Sequence, residues 1–535
     1  MAHPSIFNDV LGPVMRGASS SHCAASLRIG RMARDLMDGE LDRVVVEYDP
    51  NGSLYTTHTS QGSDMGLFGG LLGWEAHDER LPGFKAGVAE AGIDVEIRYV
   101  AYGATHPNTY RMTFHNARET RTMTAISTGG GMIEVQAIDG AEVAMGGDFF
   151  ETLVYAQGDP KALHAWLGEA SAAEDVLLRE GDRTFVQIRS IAPLAAMELQ
   201  TIRARADVEC IKQLAPVLPV LSRKDLLVPF SNCEEMLAYD AGRGLPLWEL
   251  ALHYESARGG IAHQEVLAKA TAILRIMENA IQTGLRGTVY ADRILGCQSV
   301  TFQEKMNAGQ MVAGDALNRT ILFTTAMMEV KSSLGVIVAA PTAGSCGALP
   351  GACLGVASTL GRSEEETVRA LLAAGLIGVF IAGHATFAAE VGGCMAECGA
   401  GSGMAAAAIV TLMHGSLDQT LGAASMALQN AFGLTCDPIA NRVEAPCLGR
   451  NVMAASNALS CANMALADYA HLVPLDQVIQ AMDEIGNQMA RELRCTGLGG
   501  LSISPASLAI TADLQKRAGG APASSPAPTS TKIPC

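Results

Sequence analysis

Basic and aromatic residues are scarce in this sequence. Its 535 residues include 38 Lys and Arg against 55 Asp and Glu, which gives a formal net charge of −17, and the basic residues form no cluster. Nucleic-acid binding requires clustered basic side chains that neutralise phosphates, so we expect no nucleic-acid partner. Aromatic residues make up only 5% of the chain whereas Gly and Ala are abundant, which favours helices of small, closely packed residues.

The sequence also lacks an obvious targeting or membrane segment. Its first residues show no basic stretch followed by an apolar run, so we predict no secretory signal and a cytoplasmic location. The longest apolar stretch, residues 370–389, is long enough to cross a bilayer. It is rich in Ala and Gly, is interrupted by His384 and leads directly into Glu390. These features favour a buried core helix, and we expect no membrane partner.

The pattern along the chain predicts three folded parts and a tail. Residues 1–150 alternate β-branched runs with apolar residues at helical spacing, which is typical of an α/β domain. Residues 151–225 read as a βαββαβ unit that resembles an ACT-type regulatory module. Residues 226–515 carry long Ala/Leu/Met-rich helical stretches and predict an all-α catalytic domain. Residues 516–535 form an Ala/Pro/Ser tail that is too poor in apolar residues to pack and ends in Cys.

Three cysteines stand out among the thirteen in the chain. Cys394, Cys436 and Cys447 each lie beside Gly, Pro or Asp rather than within an apolar stripe. Thiolates are the usual ligands of iron-sulfur clusters, and three fixed thiolates leave one iron open to act as a Lewis acid. The spacings match no ferredoxin pattern, however. Helix-packing cysteines, or a zinc site that includes Cys394 and Cys398, are alternative interpretations.

Several segments, in order, identify a family resemblance. The helical part contains PTAGSCGALPG, AEVGGC, GLTCDP, VEAPC-x-x-RN and GLGGL, and the α/β part contains VLGPVMRG, SSSH, GSDMGLFGGLLG and HPNT. Together they resemble the iron-sulfur L-serine dehydratases, in the single-chain form that joins a β portion to an α portion. The resemblance implies a lyase, an L-serine ammonia-lyase, that uses a [4Fe-4S] cluster to convert L-serine to pyruvate and ammonia.

The same resemblance implies the cluster ligands. Cysteines matching Cys394, Cys436 and Cys447 hold the cluster in that family. Its single-chain members also end in a cysteine that occupies the fourth iron of the resting enzyme, which implies the same role for Cys535. Here a longer Ala/Pro/Ser linker precedes that last residue.

Two segments are expected to bind the substrate between the domains. Ser19, Ser20 and Ser21 precede a predicted helix, so one of them is a candidate N-cap. Free N–H groups and hydroxyls at a helix start also suit a substrate carboxylate. Ser345 and Gly347 lie in a Gly-rich turn that is either a helix connection or a second substrate contact. His106 and Asn108 have two equally open roles. They supply polar groups to the site or form a structural turn.

The sequence departs from the family pattern at the residue expected to act as the general base. A Gly-His-Gly-Thr-Asp segment is usual there, but residues 60–64 read Ser-Gln-Gly-Ser-Asp, so Gln61 replaces the histidine. His22 and His58 are therefore the candidate bases. Residues 23–25, Cys-Ala-Ala, likewise replace Thr-Ala-Gly. These changes leave open a related substrate: threonine, a hydroxyaspartate, or cysteine losing sulfide.

Two further hypotheses assign the chain to a different kind of protein. A pyridoxal-phosphate dehydratase would catalyse the same reaction through a Schiff-base lysine, but no lysine lies in a recognisable cofactor motif. A non-enzymatic iron-sulfur sensor would need the cysteines but not the serine-rich segment. We expect a small amino-acid substrate and a homo-oligomer, with a dimer as the simplest case.

Overall fold

The computed structural model describes residues 3–517 and the backbone of residues 531–532. Cys535 lies outside the described residues, so its predicted role as a cluster ligand stays a prediction. The described chain contains a mixed sheet with helices, a small antiparallel sheet with two helices, and a large helical part. This order agrees with the predicted α/β start and helical continuation.

The α/β part is built on a mixed sheet in which β3, β2, β4, β5, β6 and β7 are neighbours in that order. Only β2 and β3 run parallel within this set. The two-residue strand Thr531–Lys532 pairs antiparallel with β3 at the sheet edge. In chain order the elements are β1 Val14–Met15, α1 Ala25–Leu36, β2 Arg43–Tyr48, α2 Leu54–Thr57, α3 Ser63–Leu71, α4 Phe84–Glu90, β3 Asp94–Tyr99, β4 Thr109–His115, β5 Thr120–Gly129, β6 Met132–Ile138 and β7 Ala141–Met145.

Alternating burial explains how this sheet covers its core. Val44, Val46 and Tyr48 of β2 are fully buried on one face, because side chains two residues apart share a face of a strand. They belong to one apolar cluster with Ile29 and Met32 of α1. The turn between β5 and β6 consists of three glycines, 129–131, with positive φ. A Cβ at Gly129 would lie 2.8 Å from the Ala388 nitrogen, so this turn brings the sheet against the helical part.

The small sheet has the connectivity expected of the βαββαβ unit. Its strand order is β11-β8-β10-β9 with every pair antiparallel. That is the arrangement of two interleaved β-α-β halves, in which each helix connects two strands that are separated in the sheet by one strand of the other half. The elements are β8 Phe150–Ala156, α5 Pro160–Ala170, β9 Asp175–Arg179, β10 Phe185–Ser190, α6 Ala196–Arg203 and β11 Val208–Leu214.

The remaining described chain is helical apart from one short strand, β12, which pairs with β1 and so links the two large parts. Its elements are α7 Cys233–Asp240, α8 Leu247–Gly259, α9 His263–Leu285, α10 Gln298–Asn307, α11 Asp315–Ser332, β12 Ile337–Val338, α12 Ala348–Leu360, α13 Glu364–His384, α14 Ala389–Cys394, α15 Ala400–Leu412, α16 Leu417–Gln429, α17 Cys447–Leu466, α18 Leu475–Gln488 and α19 Pro505–Arg517.

The first residues of the chain pack with these helices rather than with the sheet. Ile6 and Val10, in the π-helical turn Ile6–Val10, are fully buried in the apolar cluster of the helical part. The carboxylate of Glu255 in α8 accepts hydrogen bonds from Ser5 Oγ (2.5 Å) and from the Ile6 N–H (2.8 Å). Residues 1–150 are therefore not one compact unit, because their beginning completes the helical core.

Within the described part of the chain, two helical stretches are long and apolar enough to cross a membrane: α13 and the continuous stretch Ala389–Leu412. In their most apolar windows, 78% and 89% of the residues are buried inside the protein. The first includes most of the apolar stretch at residues 370–389. Its burial agrees with the predicted core helix.

Candidate active site

Five buried cysteines lie near one another where α14, α17 and two loops meet. Their residual exposures run from 0% to 6%. Three are the predicted ligands Cys394, Cys436 and Cys447; the other two are Cys398 and Cys495, which we did not assign as ligands from the sequence. Cys394 ends α14 and Cys447 begins α17, whereas Cys398 lies in the π-helical turn Met395–Gly399.

Two pairs of thiols within this cluster are hydrogen-bonded. The sulfurs of Cys394 and Cys398 are 3.4 Å apart. Their hydrogen bond lowers the pKa of the Cys394 thiol and, with burial, raises that of Cys398. Cys436 is paired with Cys495 in the same way, and this hydrogen bond together with burial raises the pKa of Cys436. Burial also raises the pKa of Cys447, and nearby charge on Cys394 adds to that effect.

A glycine that tolerates no side chain sets the direction of Cys394. Gly393 has φ +67°, and a Cβ on it would lie 2.7 Å from Met489 Sδ and 2.9 Å from the Leu434 carbonyl oxygen. The N–H of Met395, the residue after Cys394, donates to the same Leu434 carbonyl oxygen at 2.9 Å. This close approach brings α14 against the loop that carries Cys436. Backbone geometry thus explains the glycines in AEVGGC.

Asn451 joins the Gly-rich turn 341–351 to the cysteines. Its Nδ2 donates to the carbonyl oxygens of Gly344 (2.8 Å) and Cys447 (2.9 Å). Its Oδ1 accepts from the N–H groups of Gly347 (3.1 Å) and Ala348 (3.0 Å). The asparagine is fully buried. Asn451 is the last residue of the VEAPC-x-x-RN motif, but the sequence alone gave no indication of its role.

The donor set suits an iron-sulfur cluster. The cysteines that the structure describes are free thiols, and thiolate is the ligand such clusters prefer. Several buried thiols cannot all ionise without a compensating positive charge, which iron provides. Among residues 3–517, no three His, Cys, Asp or Glu side chains form a ready-made site for a single metal ion. Cys394 and Cys398 therefore form no such zinc site with a third side chain among these residues.

The SSSH segment meets the Gly-rich turn directly. Ser20 Oγ accepts a hydrogen bond from the Ala343 N–H at 3.1 Å, which crosses from the α/β part to the helical part. Ser19 occupies the N-cap position of the π-helical turn Ser20–Ala24, but its hydroxyl makes no capping bond and instead contacts His22 Nδ1 at 3.0 Å. One of the three serines thus lies at the N-cap position, as expected, but without the side-chain capping bond. Ser21 is buried beside them.

On the opposite side, Ser345 is fully buried and bonded within its own turn. Its Oγ lies 3.1 Å from Thr342 Oγ1, which in turn donates to Glu397 Oε1 at 2.6 Å. Burial, followed by the neighbouring Cys394, raises the pKa of Glu397 to about 8. Gly347 contributes its N–H to Asn451, and a Cβ there would lie 2.8 Å from Met328 Cγ. The turn is thus tightly held between the cysteines and the SSSH segment.

His22 is buried and neutral. Burial lowers its pKa to about 3, with His58 as a lesser cause. Nε2 lies 2.8 Å from Thr57 Oγ1, which itself donates to the Ser53 carbonyl, so Nε2 carries the proton and Nδ1 is an acceptor. Nδ1 also lies 3.3 Å from Glu390 Oε1. Burial raises the pKa of Glu390 as well, so this contact is not an ion pair.

His58 has the arrangement expected of an oriented base. Its Nδ1 lies 2.7 Å from Asp64 Oδ1 and its Nε2 lies 2.9 Å from the Tyr99 hydroxyl. A carboxylate on one ring nitrogen fixes the tautomer and orients the other nitrogen. Asp64 is held in turn by Thr59 Oγ1 at 2.7 Å.

Gln61 replaces the expected histidine and touches the cysteine cluster. Its Nε2 lies 3.3 Å from Cys495 Sγ, and both residues are buried. Two more contacts support the same junction: Ser53 Oγ donates to the Cys495 carbonyl, and Thr56 Oγ1 donates to the Thr496 carbonyl, each at 3.2 Å. The α/β part therefore closes over the cysteines through the residues around α2.

Asn108 and His106 have different surroundings. Asn108 is fully buried, and neither polar atom of its side chain has a hydrogen-bond partner of good geometry. Its amide lies beside Glu390, whose Oε2 is likewise unpartnered. His106 is half-buried and accepts the Asn108 N–H at 3.2 Å through Nδ1, which is the contact of a structural turn. The two residues therefore differ: Asn108 lies beside Glu390, whereas His106 takes part in a turn.

A cavity of about 250 Å³ opens between the two parts next to these residues. Its lining from the α/β part includes Thr59, Ser60 and Gly62, which flank Gln61. From the helical part it includes Lys331 and Arg442, together with the carboxylates of Asp292 and Glu444, with which Arg442 is ion-paired. A larger cavity of about 450 Å³ is bordered by Phe7, Arg28 and Lys269. Neither cavity is lined by a predicted site residue, but the smaller one is bordered by residues next to Ser19, His58 and Gln61 in the sequence.

Comparisons with known proteins agree with these motifs. The family of the serine dehydratase alpha chain matches residues 242–502. The probable L-serine dehydratase alpha chain of Bacillus subtilis (strain 168) is 36% identical over 276 residues, which are 52% of this chain and 92% of that protein. The L-serine dehydratase alpha chain of Peptoniphilus asaccharolyticus is 37% identical over 51% of this chain and 94% of its own length. An L-serine dehydratase of Escherichia coli (strain K12) is 32% identical over 51% of this chain and 62% of its own length.

Proposed function

The chain belongs to the iron-sulfur L-serine dehydratase family, and we propose that it converts L-serine to pyruvate and ammonia with a [4Fe-4S] cluster held by Cys394, Cys436 and Cys447. The observation that carries this proposal is the convergence of the three thiols at the junction of SSSH and the Gly-rich turn. Such a cluster supplies an iron that acts as a Lewis acid towards the substrate hydroxyl.

The chain's own residues supply the remaining requirements of the reaction. The Ser19–Ser21 segment is proposed to bind the substrate carboxylate, because its hydroxyls lie at the start of a helix. Ser345 and the Gly347 N–H form the facing wall. The unpartnered polar atoms of Asn108 and Glu390 are available to the substrate's ammonium and carboxylate groups. Burial of all these groups excludes water from the site.

His58 is the better of the two candidate bases. Removal of the substrate's α-proton requires an acceptor whose pKa lies near the working pH. His22, with a pKa of about 3, is a weak acceptor and is better suited to positioning through Ser19 and Thr57. The Asp64 carboxylate orients His58 and stabilises the charge that forms on its ring. The Tyr99 hydroxyl, which contacts Nε2, must move for that nitrogen to reach the substrate.

The test is anaerobic purification followed by iron and sulfide analysis, absorption spectroscopy and a substrate panel. We expect about four irons per chain and keto-acid release from L-serine that exceeds the release from threonine, a hydroxyaspartate or cysteine. Preference for another member of the panel would correct the substrate and keep the chemistry. A cluster without turnover of any of them would favour a sensor, and turnover without bound iron would contradict the proposal.

The small antiparallel sheet is proposed to be an ACT-like regulatory module. Its strand order supports this assignment, and saturable binding of a small effector by the whole protein would test it. The homodimer and the cytoplasmic location stay predictions.

A further inference from the structure

Cys495 is held beside a predicted cluster ligand by the backbone as well as by its side chain. Its N–H donates to the Cys436 carbonyl oxygen at 2.9 Å, and the Cys436 N–H donates to the Leu493 carbonyl oxygen at 2.8 Å. These bonds form a short parallel bridge between Cys436 and Arg494. The two thiols face each other across it in one buried apolar group with Cys394 and Cys398.

The backbone at Cys495 adopts a conformation that cysteine does not favour. Its φ is +56°, in the left-handed region where glycine and asparagine are preferred. Ser53 Oγ holds its carbonyl oxygen from the α/β part, and only 3% of the residue is exposed. A turn that needed only this backbone shape would accommodate glycine more easily. A thiol held in an unfavourable backbone conformation at this place points to a role for the sulfur.

Gln61 Nε2 approaches the sulfur at 3.3 Å, and this amide is the group that stands where the family has a histidine. The Cys495 Sγ in turn lies 3.7 Å from Gln61 Oε1, so the Gln61 amide holds the sulfur through both of its polar atoms, as outer hydrogen bonds orient metal ligands. The thiol is thus placed between the three predicted ligands on one side and the substrate-side segment at residues 58–62 on the other.

We propose that Cys495 is the fourth thiolate of the cluster in the resting enzyme and that Gln61 holds its sulfur in place. This inference rests on the proposed function, since it assigns a ligand to the iron that the other three cysteines leave open. In the resting enzyme the Cys495 sulfur would hold that iron as a thiolate, its proton having passed to water. It would take up a proton from water again when the substrate displaces it. The role otherwise implied for Cys535 is then filled from within the folded protein.

The test compares ligation of the four irons in wild type, Cys495→Ala, Cys535→Ala and Cys461→Ala. Cys461 is the matched control: it is buried, free and on α17, but it bonds Asn430 and lies fourteen residues beyond Cys447. That spacing along a helix is about 21 Å. Each protein is reconstituted anaerobically with ⁵⁷Fe and measured by Mössbauer spectroscopy without substrate. Replacement of sulfur by water or hydroxide as a ligand changes the isomer shift of that iron alone.

We expect four thiolate-ligated irons in wild type, Cys461→Ala and Cys535→Ala, and one distinct iron in four in Cys495→Ala. Serine at position 495, which preserves the shape, should show the same single distinct iron if the alanine variant does not accumulate. Gln61→Met should keep four thiolates but lose the fourth iron about tenfold faster under mild oxidation, as expected when an outer hydrogen bond to a ligand is removed.

Two results would overturn the inference. A distinct iron already present in wild type, and unchanged in Cys495→Ala, would show that no thiolate fills the fourth position. A distinct iron that appears only in Cys535→Ala would assign the role to the tail. If wild type binds no cluster at all, the proposed function itself fails, which is a separate outcome.

Discussion

Asn451 connects the Gly-rich turn 341–351 to the cysteine cluster, and Asn451→Ala removes all five of its hydrogen bonds, one of which runs from Nδ2 to Cys398 Sγ at 3.6 Å. Three of the partners have other bonds: the Ala348 N–H also donates to the Ser345 carbonyl, Cys447 O lies within α17, and Cys398 Sγ is bonded to Cys394 Sγ. The Gly344 carbonyl and the Gly347 N–H would be left buried without a described partner.

The expected cost follows from those two groups. Each buried, unsatisfied backbone group costs about 1–3 kcal/mol, so the variant should lose about 2–6 kcal/mol of unfolding free energy. Protein stabilities are typically about 5–15 kcal/mol, so this loss is large. It should also reduce cluster content, because Asn451 positions the start of α17, where Cys447 lies.

The assay is denaturant unfolding of the apoprotein followed by circular dichroism, together with iron per chain after reconstitution. Asn457→Ala is the control: it lies on the same helix, is half-buried and bonds Ser402 Oγ and the Ala427 carbonyl. We expect a smaller loss in the control and normal iron content. Equal stability and equal iron content in the two variants would refute the reasoning about the orphaned turn groups.

Three further outcomes are expected. Serine at any one of the three predicted ligands should abolish the cluster absorbance and air-sensitive activity, whereas Cys353→Ser, at a buried thiol in α12, should leave both unchanged; a full cluster in any ligand variant would contradict its assignment. His58→Ala should lower turnover about 100-fold or more while iron content stays normal, and near-normal turnover would place the base elsewhere. Folding keeps His22 neutral with a pKa of about 3, so the unfolded chain binds more protons, and the apoprotein's unfolding midpoint should fall as the pH drops from 6.5 towards 3. His22→Gln should flatten that dependence in a pH series of thermal unfolding, and an unchanged slope would show that His22 does not cause it.

The sequence predicted the elements that local patterns determine. β-Branched runs at residues 43–49 and 110–116 correspond to β2 and β4, and the helical spacing from Ala25 to Leu36 corresponds to α1. The packing of the first residues against α13 was not predictable, because an apolar segment such as Ile6–Val10 suits a sheet or a helix bundle equally well. Only the long-range bonds to Glu255 decide between them.

The candidate site was likewise predictable only in part from the sequence. Cysteines flanked by Gly and Pro were visible in the sequence, and the structure places all three in one buried region. Asn451 and Glu390 were not recognisable as site residues in the sequence, because a lone polar residue in an apolar helix gives no indication of which distant backbone it will contact. Cys495 was overlooked beside GLGGL, since nothing in its local sequence shows that it pairs with Cys436 nearly sixty residues earlier.

The contact between Gln61 and Cys495 gives a physical reason to treat these two positions as one unit. A histidine at position 61 would bring a ring nitrogen to a site where the present chain directs an amide donor at sulfur. The Gln61 amide always offers an N–H donor, whereas a neutral imidazole acts as either donor or acceptor, depending on its tautomer. The glutamine at position 61 therefore makes a hydrogen bond to sulfur that a histidine would not reliably make. The base that we propose in its place is His58, three residues earlier on the same loop and oriented by Asp64.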